Sequence, residues 1–174
     1  MVKVVLIGYM GSGKSNVGIK LAEKIGVAFV ELDEKIEKKC EMSIQLIFKN
    51  KGELYFRKLE HQIFSELINE QNDLIISTGG GTPCYFNNHE LLKSENVISI
   101  YLKASVSTLF NRLVKEKEKR PLIANLADSE IKEFIAKHLF ERSFYYNQAN
   151  FKVNVDDKSI DEIVNEINQK INLK

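Results

Sequence analysis

Gly8-Tyr9-Met10-Gly11-Ser12-Gly13-Lys14-Ser15 follows a short β-branched apolar run, Val2 to Ile7, and opens an amphipathic segment, Lys14 to Ile25. The octet matches GxxxxGK[ST] in full, and a strand before it with a helix after it is the context that gives the pattern physical meaning. Glycines let successive backbone N–H groups turn inward around phosphate oxygens, and the helix N-terminus adds its partial positive charge. Gly11, Ser12, Gly13, Lys14, Ser15 and Asn16 are therefore candidates to hold the phosphates of ATP. Lys14 is expected to reach the β- and γ-phosphates, with the Ser15 hydroxyl on Mg2+. The competing view is a glycine-rich turn with a chance Lys-Ser.

Outward from this octet, buried strands alternate with helical patterns. Val2 to Ile7, Leu74 to Ser77 and Val97 to Leu102 read as fully buried strands, Ala28 to Leu32 as a shorter one, and Phe151 to Val155 as a last strand at an edge. Val17, Leu21, Ala22 and Ile25 share one face of the helix after the octet, and Gly26 stops it. Leu59, Ile63 and Leu67 form a stripe within Glu53 to Asn69, and Ser159 with Glu162 forms a capping box before Ile163, Ile167 and Ile171. The fold class is α/β: a three-layer α/β/α arrangement around a parallel five-stranded sheet, with ligands at the carboxyl ends of the strands. Glu34 to Asn69 is helical and too long for a simple crossover, Thr82 to His89 reads as a loop, and Glu116 to Asp128 lacks an apolar stripe.

Composition narrows the function classes. The chain has 174 residues, enough for one domain with a real core, and a formal net charge of +1 that argues for no nucleic-acid or membrane partner. Two cysteines, Cys40 and Cys84, in no CxxC pattern suit a reducing cytoplasm, and a monomer is plausible at this size. No Asn-Lys-x-Asp guanine signature is present, and the strand Leu74 to Ser77 runs into Thr78 and three glycines instead of ending in Asp. A small kinase fits better than a GTPase or a motor.

Candidate acceptor residues cluster in pattern. Glu31 and Asp33 end the Ala28 run two residues apart, so in an extended chain they point the same way. Asp33 is then placed to orient an acceptor hydroxyl and Glu31 to hold hydrated Mg2+; an N-cap at Asp33 with Glu31 solvated is the alternative. Arg57, Arg120 and Arg142 are candidates for pairing with a planar carboxylate or phosphate. Gly79, Gly80 and Gly81 permit unusual φ and close backbone approach to a ligand. His61, His89 and His138 show no metal spacing, and Tyr145, Tyr146 and the phenylalanines are expected in the core.

Taken in order, Gly8 to Ser15, Asp33 with Ile36-Glu37, Gly52-Glu53 with Phe56-Arg57 and Glu60, Gly79-Gly80-Gly81, Arg112, Arg120-Pro121-Leu122 and Arg142 make the chain resemble the shikimate kinase family along nearly its whole length. The resemblance implies an adenylate-kinase-like P-loop fold forming one kinase domain over 1–174. It implies a shikimate-binding segment at about 33–62 and a mobile lid at about 113–127. It implies ATP- and Mg2+-dependent phosphorylation of the shikimate 3-hydroxyl, on the route to chorismate and aromatic amino acids. Carried over by position, Asp33 contacts the shikimate hydroxyls, Arg57 and Arg142 clamp its carboxylate, and Gly79 to Gly81 meet it through the backbone. Arg120 reaches phosphates from the lid and Arg112 supports the nucleotide; Lys158, where this chain departs from the family, is a candidate to cover the adenine face. Glu31 stands where many relatives have Asp, and Asn154 to Lys158 replaces an Arg-containing adenine loop.

Two other functions remain open on the residues: a gluconate-kinase-like enzyme with the same cradle, and a non-catalytic ATP-binding switch module. A pure binder has no need of Lys14, Ser15, Asp33 and Arg120 together.

Overall fold

The computed structural model describes residues 1–117 and 123–172. Five strands, β1 (Lys3–Ile7), β2 (Ala28–Glu31), β3 (Leu74–Ser77), β4 (Val97–Lys103) and β5 (Phe151–Asn154), form one parallel sheet in the order β2-β3-β1-β4-β5. Helices α1 (Lys14–Ile25), α2 (Leu32–Cys40), α3 (Ile44–Lys51), α4 (Glu53–Asn69), α5 (Asn88–Leu91), α6 (Val106–Val114), α7 (Asp128–Tyr146) and α8 (Ile160–Ile171) cover it.

Strand alternation explains the layering. Val4 and Leu6 of β1 face one apolar cluster, which contains Leu21 of α1, Leu109 of α6, Ile135 of α7 and Ile163 of α8. Val5 and Ile7 face the other, built from Ile36 of α2, Ile47 of α3 and Phe64 of α4. Successive side chains of a strand point to opposite faces, so a strand buried on both sides is apolar on both, as β1 is from Val4 to Ile7; its buried Lys3 instead donates its ammonium to the Glu70 and Asn72 carbonyls. Helix α7 gives Ile131 and Ile135 to the first cluster and Tyr146 to the second. It therefore passes from one face of the sheet to the other.

Local signals account for most element ends. Gly26 terminates α1 at φ 72°, a left-handed geometry that glycine adopts without steric cost. Ser159 and Glu162 cap α8 reciprocally, the Ser159 Oγ accepting from the Glu162 N–H at 3.3 Å and the Glu162 carboxylate accepting from the Ser159 N–H at 2.7 Å. Three expectations are corrected. β2 ends at Glu31 and Leu32 already begins α2, because Leu32 and Ile36 are drawn into the second cluster. Thr82 to His89 is more than a loop: it holds a 3-10 turn at Thr82–Cys84 and the start of α5. Phe140 and Phe144 are 82% and 62% exposed rather than core. No helix among the described residues is long and apolar enough to cross a membrane.

Candidate active site

β1 and β4 are neighbours while their connections leave in opposite directions, and the octet sits at the carboxyl end of β1 beside this switch. Gly11 and Gly13 take φ of 80° and 97°, which aims the intervening amides inward. No side chain caps the first turn of α1, so its N–H groups face the loop. The Lys14 ammonium donates to the carbonyls of Gly8 at 2.8 Å and Tyr9 at 3.1 Å. Arg112 braces the loop from α6, donating to Gly11 O at 3.1 Å and Ser12 O at 3.3 Å.

A cavity of about 560 Å³ opens over this loop, lined by all of Gly11 to Asn16 together with Glu31, Asp33, Arg112 and Lys158. Among the described residues, Ser12 Oγ, Glu31 Oε1, Ser77 Oγ and His89 Nδ1 are buried without a hydrogen-bond partner. The first three line this cavity. Buried polar atoms are rarely left unsatisfied, so three of them at one cavity indicate a polar ligand. Lys158 lines the cavity but its ammonium is paired with Glu166 at 2.7 Å. Asp156 holds the same loop by accepting the Ser105 amide at 3.0 Å.

A second cavity of about 200 Å³ adjoins the first through Met10, Asp33, Gly79 and Gly80. Arg57, Glu60, Gly81 and Arg142 line it, with Ile44, Phe48 and Phe56 as an apolar wall. Arg57 Nη1 donates to Glu60 Oε2 at 2.9 Å, and the guanidinium lies 4.0 Å from the Tyr85 ring centroid. Burial alone lowers the Arg57 pKa, but the Glu60 carboxylate overrides it and the net shift is upward.

The three glycines serve space and not conformation. None of them has positive φ, contrary to expectation. A Cβ at Gly79 would lie 3.1 Å from Asp33 Oδ1, one at Gly80 3.4 Å from Arg142 Nη1, and one at Gly81 2.9 Å from Arg57 Nη2. Tyr146 steadies the turn by donating to Gly80 O at 2.5 Å.

Asp33 is not on an extended chain. It stands in the first turn of α2, directly after β2, so the alternation argument fails while both carboxylates still reach the larger cavity. Burial, reinforced by Glu60 and opposed by Lys14, pushes the Asp33 carboxyl up to about 6. Arg120 lies outside the described residues.

Three contributors are not among the candidate site residues read from the sequence. Glu60 is fully buried and accepts the Thr82 hydroxyl at 2.6 Å as well as Arg57; its spacing three residues after Arg57 was the available hint. Tyr9 and His138 also line the smaller cavity, and nothing in the pattern singles them out.

The arrangement joins a phosphate cradle to a small cavity with two guanidiniums, an apolar wall and a buried carboxylate. Comparison with known proteins agrees with it. The family model for shikimate kinase matches residues 10–172. A shikimate kinase of Flavobacterium johnsoniae is 56% identical, covering 96% of this chain and 97% of its own. A shikimate kinase structure from Bacteroides thetaiotaomicron superposes with a TM-score of 0.91 at 32% identity, covering 98% of each chain. One from Acinetobacter baumannii, in complex with shikimate, gives 0.88 at 30% identity over 98% of this chain and 93% of that one.

Proposed function

The chain belongs to the shikimate kinase family, and from that premise we propose that it transfers the γ-phosphoryl group of ATP to the 3-hydroxyl of shikimate, giving shikimate 3-phosphate and ADP. The supporting observation is that Asp33, Arg57 and Arg142 converge on Gly79 to Gly81 within one small cavity that opens onto the Lys14 cradle.

Each residue has a chemical part. Lys14 and the amides of Gly11 to Asn16 neutralise the phosphates, which matters most because phosphoryl transfer needs positioning and charge compensation more than covalent help. Arg57 and Arg142 hold the acceptor carboxylate, and their planar forks suit it. Glu60 keeps the Arg57 fork in place. Asp33, with its carboxyl near 6, accepts the proton of the attacking hydroxyl around neutral pH. Arg112 supports the cradle and the nucleotide, and Lys158 borders the space for the base.

The residues fit Mg2+. Ser15 and Glu31 line the nucleotide cavity, and Glu31 Oε1 is a buried acceptor lacking a partner among the described residues. Such an ion keeps most of its water and is held by one or two protein oxygens. Ser15 and Glu31 would hold it, and bound there it offsets charge on the β- and γ-phosphates. The proposal includes an acceptor-binding segment at about 33–62, closure by about 113–127, and a monomer working in the cytoplasm.

The test is ADP release with Mg·ATP in the presence of shikimate, gluconate or no acceptor. Release that depends on shikimate is the expected result. Release with gluconate instead would keep the mechanism and overturn the acceptor, and acceptor-independent binding without turnover would point to a switch module.

A further inference from the structure

We propose that Tyr9 is a positioning residue that ties the nucleotide cradle to the acceptor clamp, an inference that rests on the acceptor assignment above. Tyr9 occupies a position of the octet at which the pattern accepts any residue. Its backbone faces the nucleotide side, where its carbonyl accepts from Lys14 Nζ at 3.1 Å. Its side chain faces α7. The hydroxyl lies 3.0 Å from His138 Nδ1, and Arg142, one turn further along α7, places its guanidinium carbon 5.4 Å from the ring centroid. Phe134 packs on His138 with centroids 4.1 Å apart.

The ring is 1% exposed, so it has no room to move independently of these neighbours. A nucleotide phosphate competes with the Gly8 and Tyr9 carbonyls for the Lys14 ammonium. Drawing Lys14 away releases one hold on the Tyr9 backbone, and the buried side chain passes the adjustment to His138 and Arg142. Nucleotide and acceptor carboxylate then bind with a shared, reciprocal coupling. A phenylalanine would fill the same volume, so the hydroxyl on His138 is the atom that separates this role from packing.

The test is calorimetric titration of shikimate into wild type, Tyr9→Phe, His138→Leu and His138→Gln, each with and without Mg·ADP, so that no turnover is involved. In wild type the nucleotide should tighten shikimate binding by a factor in the range of roughly 5 to 150 typical of coupled sites. Tyr9→Phe and His138→Leu should bring that factor close to one while melting temperatures stay near wild type. His138→Gln, which keeps an acceptor for the hydroxyl, should retain part of it. An undiminished factor in Tyr9→Phe, or no coupling in wild type, overturns the proposal. Failure of wild type to bind shikimate at all overturns the acceptor assignment and the clamp role with it.

Discussion

Arg57 and Glu60, one helical turn apart on α4, meet at 2.9 Å with the carboxylate fully buried and the guanidinium almost so. A buried ion pair is stabilising only when the remaining lone pairs are satisfied. Here the second Glu60 oxygen takes the Thr82 hydroxyl, so the pair also fastens α4 to the segment that follows the three glycines.

Arg57→Ala therefore has two separable consequences. It should raise the shikimate Michaelis constant about a hundredfold, and it should cost roughly 3 kcal/mol of stability by leaving Glu60 buried and unpaired. Adding Glu60→Gln should recover part of the stability and none of the shikimate affinity. Denaturant titration and steady-state kinetics on the single and double variants read the two effects apart. An unchanged Michaelis constant for shikimate in Arg57→Ala would remove Arg57 from the clamp.

For Lys14→Ala the expectation is a fall in kcat of roughly 10²- to 10³-fold, the scale of losing one preorganised electrostatic contact to the transferring group. Its removal frees the Gly8 and Tyr9 carbonyls without opening the apolar core, so the melting temperature should move by only a few degrees. Near-normal turnover sinks the cradle assignment.

Asp33 makes both activity and stability depend on pH. With its carboxyl near 6 in the folded chain against an ordinary 3.8, the folded state binds the proton more tightly than the unfolded one. Stability from this group is present below the unfolded value and is lost as pH rises through about 6. Turnover runs the other way, because the proton acceptor is the ionised form. The prediction is an acidic limb in kcat near pH 6, absent in Asp33→Asn, together with a gain on the order of 2 kcal/mol in the neutral-pH stability of that variant. An Asp33→Asn protein no more stable at pH 8 than wild type would contradict the shift.

Gly81→Ala tests the role of space at the triplet. The new methyl would meet the Arg57 guanidinium at 2.9 Å, and the backbone there is ordinary, with φ −96°. Shikimate affinity should drop about tenfold or more, since a displacement near 1 Å at a positioned group costs that much or worse. Nucleotide affinity, measured by Mg·ADP titration, should stay at the wild-type value.

Much of this was legible in the chain itself. The octet, the β-branched runs and the α8 capping box report local physics, so α1, the sheet class and the helix start at Ser159 follow from a few neighbouring residues. What escaped was decided across the fold. Leu32 reads as the end of a strand until the cluster around Ile36 and Phe64 pulls it into a helix. That changes the route by which Asp33 reaches the site. The triplet could be recognised as close approach, but whether φ or volume required glycine depended on where Arg57, Arg142 and Asp33 lay. Tyr9 and His138 are 129 residues apart, and no period or motif links them. Arginines read singly look like surface; only the fold gathers two of them.

The place of β1 has a consequence for how the chain is made. Of these five strands the first to be synthesised is the middle one of the sheet, and it pairs with β3 from Leu74 and with β4 from Val97. The cradle that it carries thus lacks one of its two flanking ladders until the ribosome has passed Lys103, and pairing of distant segments is the slow part of folding. Nascent chains shorter than that have the whole phosphate-binding octet in sequence and at most the β2-β3-β1 part of the sheet to hold it. Nucleotide capture is then a late event in biogenesis, arriving with the central strand's second neighbour.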